Sequence, residues 1–384
     1  MAEEGAQRIV VLGGGIGGQV AATRLKQKLG ASGRVTIIER EAAFTFAPSL
    51  LWLMVGKRRG ESITRDFSGL ERRGIELVQA TVTGIDTAAG VVQTDSGTVD
   101  YDHLIISIGA ELDPGRIPGL VEHTHHPYTL EAAERLREAL AGFQGGRVAV
   151  AIASLPYKCP AAPYETAMLI DGYLRERGIR DASRIDVYTP EPLPLPVAGP
   201  YPGYAVAAEL AGRDIGFHAR LNLQRVEPPA LHFDGLEAPY DLAVVIPPHR
   251  PPDVVSASGL GGASGWIPVD RATLRAQPGN VYAIGDIAAI PLENGMMLPK
   301  AGVFAHGEAE VVAENIARRI HGDLREEAFD GHGTCFLETG GGKSGLARGN
   351  FFASPVPDVS MYRPGRIWHA GKVAFEKYWL RRWL

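Results

Sequence analysis

The stretch Arg8-Ile-Val-Val-Leu-Gly-Gly-Gly-Ile-Gly-Gly18 decides the fold of this chain. Its first half predicts a buried strand, its second half predicts a glycine turn, and residues 19–29 have the spacing of a helix. Gly13 permits the tight turn, Gly15 lets the backbone approach a pyrophosphate, and Gly18 allows the helix to pack closely on the strand. The stretch therefore predicts a dinucleotide-binding unit whose phosphates meet the helix N-terminus.

The segment that follows supports this interpretation. Residues Arg34-Val-Thr-Ile-Ile38 predict a second strand, and Glu39 comes directly after it. An acid about twenty residues after the glycines is typical of the carboxylate that holds a ribose hydroxyl. Strand, helix and acid in this order argue against a glycine turn without a ligand.

Composition excludes several classes of protein. The 384 residues include 39 Lys+Arg and 44 Asp+Glu, a net charge of -5 that argues against a nucleic-acid binder. No apolar run approaches the roughly 20 residues of a membrane-spanning helix, and the N-terminus lacks the pattern of a secretory signal. We expect a globular chain with a cytoplasmic start and no transmembrane helix. No metal site is expected either, because spacing completes no ligand set around His123-Thr-His125-His126.

Two later predicted strands are each followed by a glycine and one further small or acidic residue. Residues 101–110 predict an apolar strand that leads to Gly109, and residues 280–286 predict another that ends in Gly285 and Asp286. The aspartate taken alone could equally cap a helix.

A helix is also predicted beyond these strands. Lys300 and Gly302 precede a helical pattern over residues 303–320. The N-terminal amides of such a helix stabilise negative charge on a bound group.

A second dinucleotide fingerprint is missing. Residues 146–152 predict a good strand, but the segment after it, Ala153-Ser-Leu-Pro-Tyr-Lys-Cys-Pro160, contains no glycine. A pyrophosphate could not approach that backbone as the fingerprint requires. The sequence thus argues against a second nucleotide site at this strand.

The chain has only two cysteines, Cys159 and Cys335. Two cysteines do not make a secreted disulfide scaffold, so a pair would be redox-active rather than structural, with two inert buried thiols as the alternative. Pro160 and Pro163 favour a helix start, which predicts that the Cys159 sulfur lies near a helix N-terminus, where a thiolate is stabilised.

Three segments resemble one family. Lys158-Cys-Pro-Ala-Ala-Pro-Tyr-Glu165 resembles the cysteine segment of sulfide:quinone oxidoreductases and of the flavoprotein subunit of flavocytochrome c sulfide dehydrogenase, where it replaces the NADH motif. Gly333-Thr-Cys-Phe-Leu-Glu338 is similar to the C-terminal cysteine segment of that family, and residues 369–378 resemble the ending of its quinone-dependent members. The resemblance covers nearly the whole chain.

This resemblance implies a two-dinucleotide-domain flavoprotein with bound FAD. Cys159 and Cys335 would form the redox pair that receives sulfur. Glu165 would act as the general acid/base for the protons of sulfide, or its carboxylate would merely interact favourably with the dipole of the helix in whose first turn it lies. With the motifs above, the resemblance implies FAD contacts from Gly13, Gly15, Gly18, Glu39, Gly109, Gly285, Asp286, Lys300 and Gly302.

The C-terminus carries the predicted quinone and membrane features. Lys372 and Phe375 match family positions near the quinone. Phe375, Trp379 and Trp383 are four residues apart and predict one helical face. Aromatic and basic residues together suit a membrane interface, with a docked helix or a dimer contact as the alternative.

The chain also departs from the family. Tyr128 stands where many quinone-dependent members have a third cysteine, and residues 46–49 lack the flavin-linking cysteine of the flavocytochrome subunit. The resemblance therefore implies that FAD is bound noncovalently.

Together these observations predict an α/β fold with two Rossmann-like domains and a C-terminal membrane-associating segment. Residues 1–110 and 270–323 would form the FAD domain, 111–269 the second domain with Cys159, and 324–384 the C-terminal segment. The expected function is oxidation of sulfide by a membrane quinone at the surface of the cytoplasmic membrane, in a peripheral protein that could form a homo-oligomer. The alternatives are a type II NADH:quinone oxidoreductase and a flavoprotein that passes electrons to a cytochrome partner.

Overall fold

The computed structural model describes residues 5–277 and 279–383. Its central sheet has six strands, five of them parallel. From one edge to the other the strands are Arg275–Gln277, Val281–Ala283, His103–Ile106, Gln7–Leu12, Gly33–Glu39 and Glu76–Gln79. The strand of the glycine motif therefore lies inside the sheet, and strands from distant parts of the chain flank it.

Apolar residues explain this position. Leu12 is fully buried and pairs in register with Ile38 on one side and with Ile106 on the other. A strand buried on both faces is typical of a parallel sheet covered by helices. The helices Ile16–Leu29 and Gly302–Ile320 pack against each other beside this sheet.

A second parallel sheet follows the same plan. Its four strands, in spatial order, are Ile215–His218, Ser183–Tyr188, Gly146–Ile152 and Leu242–Ile246. The long helices in this part of the chain are Leu130–Gly142, Ala162–Glu176 and Pro200–Ala211. The predicted α/β class with two Rossmann-like units is confirmed, whereas the predicted domain boundaries stay a prediction.

The C-terminal part is an antiparallel sheet followed by a helix. The strands are His332–Gly340, Lys343–Asn350 and Asp358–Gly365, and the helix is Arg366–Arg382. The first strand packs against the helix Ala162–Glu176, which brings the two cysteine segments together.

Shorter elements connect these layers. The further helical segments are Gly30–Ser32, Ala47–Ser49, Leu50–Met54, Gly60–Ile63, Ser68–Glu71, Pro114–Arg116, Leu120–His123, Arg180–Ala182, Pro196–Ala198, Asp253–Ala257 and Gly285–Ile287. The further strands, grouped by sheet, are Ala43–Thr45 with Thr64–Asp66; Val82–Asp86, Val91–Thr94 and Gly97–Asp100; Glu111–Leu112 with His249–Arg250; Leu223–Glu227, Ala230–Phe233 and Leu236–Pro239; and Ile267–Pro268 with Ala288–Ala289.

The predicted membrane face of the last helix is wrong. Trp379 and Trp383 are each only 1% exposed and belong to the main hydrophobic core. Their rings pack around His306, and the guanidinium of Arg73 donates to the carbonyls of Arg382 and Trp383. The aromatic spacing therefore marks a docked helix, the alternative that the sequence left open. No helix within the described residues is long and apolar enough to cross a membrane.

Candidate functional site

The glycine turn lies between the strand Gln7–Leu12 and the helix that begins at Ile16. Gly13 has φ +93°, and a Cβ there would be 2.4 Å from the Ser107 carbonyl oxygen. A Cβ on Gly18 would be 1.9 Å from the Gly13 carbonyl oxygen, whereas a Cβ on Gly15 would have no heavy atom within 4 Å. A side chain at Gly13 or Gly18 would thus clash with the protein backbone. Gly15 instead borders open space at the helix N-terminus, where a pyrophosphate needs room to approach.

Glu39 is held beside this turn. Its Oε2 accepts a hydrogen bond from the Gly14 amide at 2.6 Å, and its Oε1 accepts one from the Glu41 amide at 2.9 Å. The carboxylate therefore lies next to the predicted phosphate position, where a ribose would follow.

The second cluster of predicted cofactor residues lies at the end of the strand Val281–Ala283. The Gly285 amide donates to Glu308 Oε2 at 2.6 Å, and the Lys300 ammonium donates to the Asp286 carbonyl. Lys300 Nζ also lies 3.5 Å from the centre of the Trp266 ring. Burial lowers the pKa of Lys300 to about 8.

Two glycines complete this side of the site. Gly302 opens the helix Gly302–Ile320, and a Cβ there would be 2.5 Å from Ile16 Cδ1. The absence of a side chain at Gly302 thus lets Ile16, at the start of the other helix, pack against it. Gly109 lies just after the strand His103–Ile106 with φ +69°. The residues present suit FAD: the turn and both helix N-termini offer amides to phosphate, and Glu39 offers an acceptor to ribose.

Sequence reasoning missed Glu308. It is 2% exposed, and burial raises the pKa of its carboxyl group to about 8. An acidic residue on the apolar side of a predicted helix was the available signal, since a buried carboxyl group needs a partner.

Cys159 lies in the loop between the strand Gly146–Ile152 and the helix Ala162–Glu176, with φ +57°. Its amide donates to the Lys300 carbonyl at 2.7 Å, and Tyr128 Oη donates to the Lys158 carbonyl at 2.9 Å. The first of these hydrogen bonds ties the cysteine loop to the segment that carries Lys300 and Gly302, and the second ties it to Tyr128.

Cys335 lies on the strand His332–Gly340, and both cysteines are free thiols. Cys159 precedes the start of the helix Ala162–Glu176, but its other surroundings oppose a stabilised thiolate. Burial and the charges of Glu165 and Cys335 raise the pKa of Cys159, and they outweigh the hydrogen bond from the Ala162 amide at the helix start. Cys335 is an exposed residue on its strand, but protein atoms crowd its sulfur, and this desolvation, with the charge of Glu165, raises the pKa of Cys335 to about 11. Glu165, on the helix after Cys159, accepts a hydrogen bond from the amide of Glu338 on the strand that carries Cys335, so the two cysteine segments and Glu165 share one site.

Glu165 belongs to a buried ionic network. Its Oε1 accepts hydrogen bonds from the Glu338 amide at 2.7 Å and from Lys372 Nζ at 3.1 Å. Lys372 Nζ is also 3.9 Å from Glu338 Oε1, which accepts a hydrogen bond from His369 Nδ1 at 3.2 Å. Burial raises the pKa of Glu165 against the opposing charge of Lys372. Burial lowers the pKa of Lys372, but Glu165 and Glu338 outweigh it and the net pKa is raised.

Two members of this network, Glu338 and His369, also border a cavity. His369 and Glu338 line a cavity of about 280 Å³ together with Trp52, Lys57 and Arg58. The structure therefore brings Cys159, Cys335 and Glu165 to one region and places Lys372, which was expected at the quinone site, against Glu165. Glu338 and His369 are additions that the sequence did not predict. Phe375 lies one helical turn from Lys372, half exposed, with its ring near those of Phe46 and Phe336.

The family described as pyridine nucleotide-disulphide oxidoreductase matches residues 7–309. The chain belongs to this family, and the prediction of FAD as its cofactor is confirmed.

Two similar proteins and one similar solved structure are sulfide:quinone oxidoreductases. The mitochondrial sulfide:quinone oxidoreductase of Mus musculus is 28% identical over 369 residues, covering 91% of this chain and 79% of that protein. The sulfide-quinone reductase of Aquifex aeolicus (strain VF5) is 28% identical over 396 residues, covering 98% and 90%. The solved structure of the Aquifex aeolicus sulfide:quinone oxidoreductase superimposes with a TM-score of 0.90 at 26% identity, over 98% of this chain and 91% of that one.

Proposed function

We propose that this chain oxidises sulfide to sulfane sulfur at Cys159 and Cys335 and passes the electrons through FAD to a membrane quinone. The observation that carries the proposal is the position of the cysteine loop. The loop follows the strand Gly146–Ile152, at the position where a glycine fingerprint would bind NADH, and this chain has no glycine there. The Cys159 amide donates a hydrogen bond to the Lys300 carbonyl. The full-length similarity to sulfide:quinone oxidoreductases supports the same activity.

The chain's own residues would hold the cofactor at both ends. The turn around Gly15 and the N-terminus of the helix Gly302–Ile320 direct amides at negative charge. Bound FAD supplies the capacity to accept two electrons. Lys300 is held between the Asp286 carbonyl and Trp266, and its ammonium group would lie beside the negative charge of the cofactor.

At the cysteines, hydrosulfide would attack the oxidised pair. A sulfur–sulfur bond forms between hydrosulfide and one cysteine as the bond between the pair breaks, and the second cysteine leaves as a thiolate. The persulfide and the thiolate would then lose two electrons and one proton as a second sulfur–sulfur bond closes a sulfur-bridged pair between the two cysteines, and bound FAD would supply the capacity to accept those electrons. Glu165, with its raised pKa, accepts the proton that the bound sulfur loses.

The quinone would approach at the C-terminal helix. Phe375 is 41% exposed and its neighbours on the outward face, Ile367 and Tyr378, are 74% and 55% exposed. A helix with a docked aromatic face and an outward apolar face suits attachment to a membrane surface. Lys372 supplies the nearby cation, held by Glu165.

An anaerobic mixing experiment tests the proposal. The yellow holoprotein is mixed separately with sulfide and with NADH, flavin absorbance is followed, and a soluble quinone is then added. We expect bleaching by sulfide only and recovery of colour with the quinone. Bleaching by NADH alone would establish the type II NADH:quinone alternative instead, and recovery with a cytochrome but not with quinone would establish the cytochrome-coupled one.

A further inference from the structure

A carboxyl group that the proposed chemistry does not use lies next to the cysteine loop. Glu191 is 4% exposed and follows the strand Ser183–Tyr188. Its Oε2 accepts hydrogen bonds from the hydroxyls of Tyr164 and Tyr157, the latter at 3.1 Å, and lies 3.5 Å from Thr189 Oγ1. Tyr157 precedes Cys159 in the loop, and Tyr164 follows it on the helix.

The Tyr157 hydroxyl has two competing acceptors. It lies 3.1 Å from Glu191 Oε2 and 3.2 Å from the carbonyl oxygen of Pro160. A phenol carries a single proton to donate, so it cannot serve both acceptors fully. An ionised Glu191 only accepts, and a charged acceptor wins over a neutral carbonyl. A protonated Glu191 can instead donate to the phenol oxygen, which leaves the Tyr157 proton to Pro160.

We propose that Glu191 and Tyr157 are positioning residues that make the hold on the Cys159 loop depend on the protonation of Glu191. The protonated carboxyl group lets Tyr157 clamp Pro160, and the ionised carboxylate withdraws that hydrogen bond. The inference deepens the proposed function and rests on it for the importance of Cys159.

The loop is sensitive to such a change because its conformation needs support. A non-glycine residue with φ near +57° is uncommon, so its surroundings must hold it. The backbone on either side of Cys159 is held by the Cys159 amide on Lys300, by Tyr128 on Lys158 and by Tyr157 on Pro160. The switch therefore acts on one of three contacts around the reactive sulfur.

The change falls near neutral pH. The titratable groups that face Glu191 are the phenols of Tyr157 on the loop and Tyr164 on the helix, and Thr189 adds a hydroxyl at the strand end. Burial raises the pKa of Glu191 to about 7, against the hydrogen bonds of these three groups.

Alkylation of the two thiols tests the proposal without using enzymatic activity. The thiol-reduced holoprotein is treated with iodoacetamide between pH 5.5 and 8.5, and mass spectrometry measures the rate at each cysteine peptide. The ratio of the Cys159 rate to the Cys335 rate removes the rise in thiolate that both share. We expect this ratio to increase about fivefold across pH 7, the factor that one net hydrogen bond contributes to an equilibrium.

Three variants separate a switch from a merely structural role. Tyr157→Phe removes the shared donor, so its ratio stays at the high value at every pH. Glu191→Gln cannot ionise, so its ratio is also independent of pH. Tyr164→Phe keeps the switch but removes a hydrogen bond that lowers the pKa of Glu191, so its transition moves to higher pH.

A flat ratio in the unaltered protein would overturn the proposal, as would a transition that persists in Tyr157→Phe. Because the readout is alkylation, these outcomes leave the sulfide assignment to the mixing experiment. Failure of sulfide to bleach the flavin, with the pH transition intact, would overturn the proposed function while the loop switch stands.

Discussion

At the scale of single residues, the charge of Glu165 acts on both thiols. Burial is the larger cause of the raised pKa of Cys159 and of Cys335, and the carboxylate of Glu165 adds to it. Glu165→Gln should therefore lower both pKa values and speed alkylation of both cysteines at pH 8 severalfold, as measured by peptide mass spectrometry. Glu176→Gln, a half-exposed carboxylate on the rim of the cavity, is the matched control and should alkylate at the unaltered rate. Equal rates in both variants would remove Glu165 from the cysteine site.

Glu191 makes stability depend on pH. Its pKa is raised from 4.5 to about 7 in the folded protein, so the protonated form is favoured there and stability declines as pH rises towards and through 7. The shift corresponds to about 3 kcal/mol. Glu191→Gln should lose less stability than the unaltered protein between pH 5 and 8, by a sizeable fraction of that amount, in urea unfolding.

The exposed carboxylate Glu293 supplies the control for this measurement. Glu293→Gln should follow the unaltered protein at both pH values. If Glu191→Gln also followed it, burial of Glu191 would not contribute to the pH dependence.

At the scale of elements, two glycines of one turn should fail in different ways. Gly18→Ala places a Cβ 1.9 Å from the Gly13 carbonyl, so it should lower the melting temperature of the apoprotein and abolish FAD binding. Gly15→Ala meets no protein atom within 4 Å, so it should leave that melting temperature unchanged and weaken FAD binding at least tenfold, since the Cβ points where the pyrophosphate approaches. Fluorescence titration of FAD and thermal unfolding measure the two effects. Unchanged FAD affinity in Gly15→Ala would place the phosphates elsewhere.

The C-terminal helix gives a second contrast. Trp379→Ala empties a fully buried site and should destabilise the protein by about 3–5 kcal/mol, whereas Tyr378→Ala, at a 55% exposed position, should change stability by less than about 0.5 kcal/mol. Denaturant unfolding measures both. The opposite order, with Trp379→Ala neutral but defective in binding to anionic vesicles, would restore the membrane role first expected for that face.

At the scale of the whole molecule, the FAD should be released completely on acid unfolding. The chain has two cysteines, Cys159 and Cys335, and both are assigned to the sulfur site, so no further cysteine remains to form a thioether with the flavin. Acid precipitation should leave all flavin in the supernatant, as measured by its absorbance. Yellow colour that stays with the precipitate would reveal a covalent link.

The assembly of the site explains where sequence prediction succeeds. The strand, turn and helix around Gly13 are local, so glycine chemistry and apolar periodicity specify them, and the predicted helix over 303–320 begins at Gly302 in the structure. The cysteine segments were identified by their motifs. Their meeting was expected only from the family resemblance, because it requires the strand that carries Cys335 to pack on the helix that follows Cys159.

The sequence alone determined the α/β class, the cofactor turn and the missing second fingerprint, since each depends on residues within about one turn or strand of one another. Only the tertiary structure decided whether Trp379 is buried in the protein, and in which direction the pKa of Cys159 is shifted. A helix with one aromatic face buries it either in lipid or in protein, and spacing is the same for both. Likewise, Lys372 reaches Glu165 across 207 residues. Burial, together with the charge of Glu165, raises the pKa of Cys159, which a helix N-terminus alone would lower.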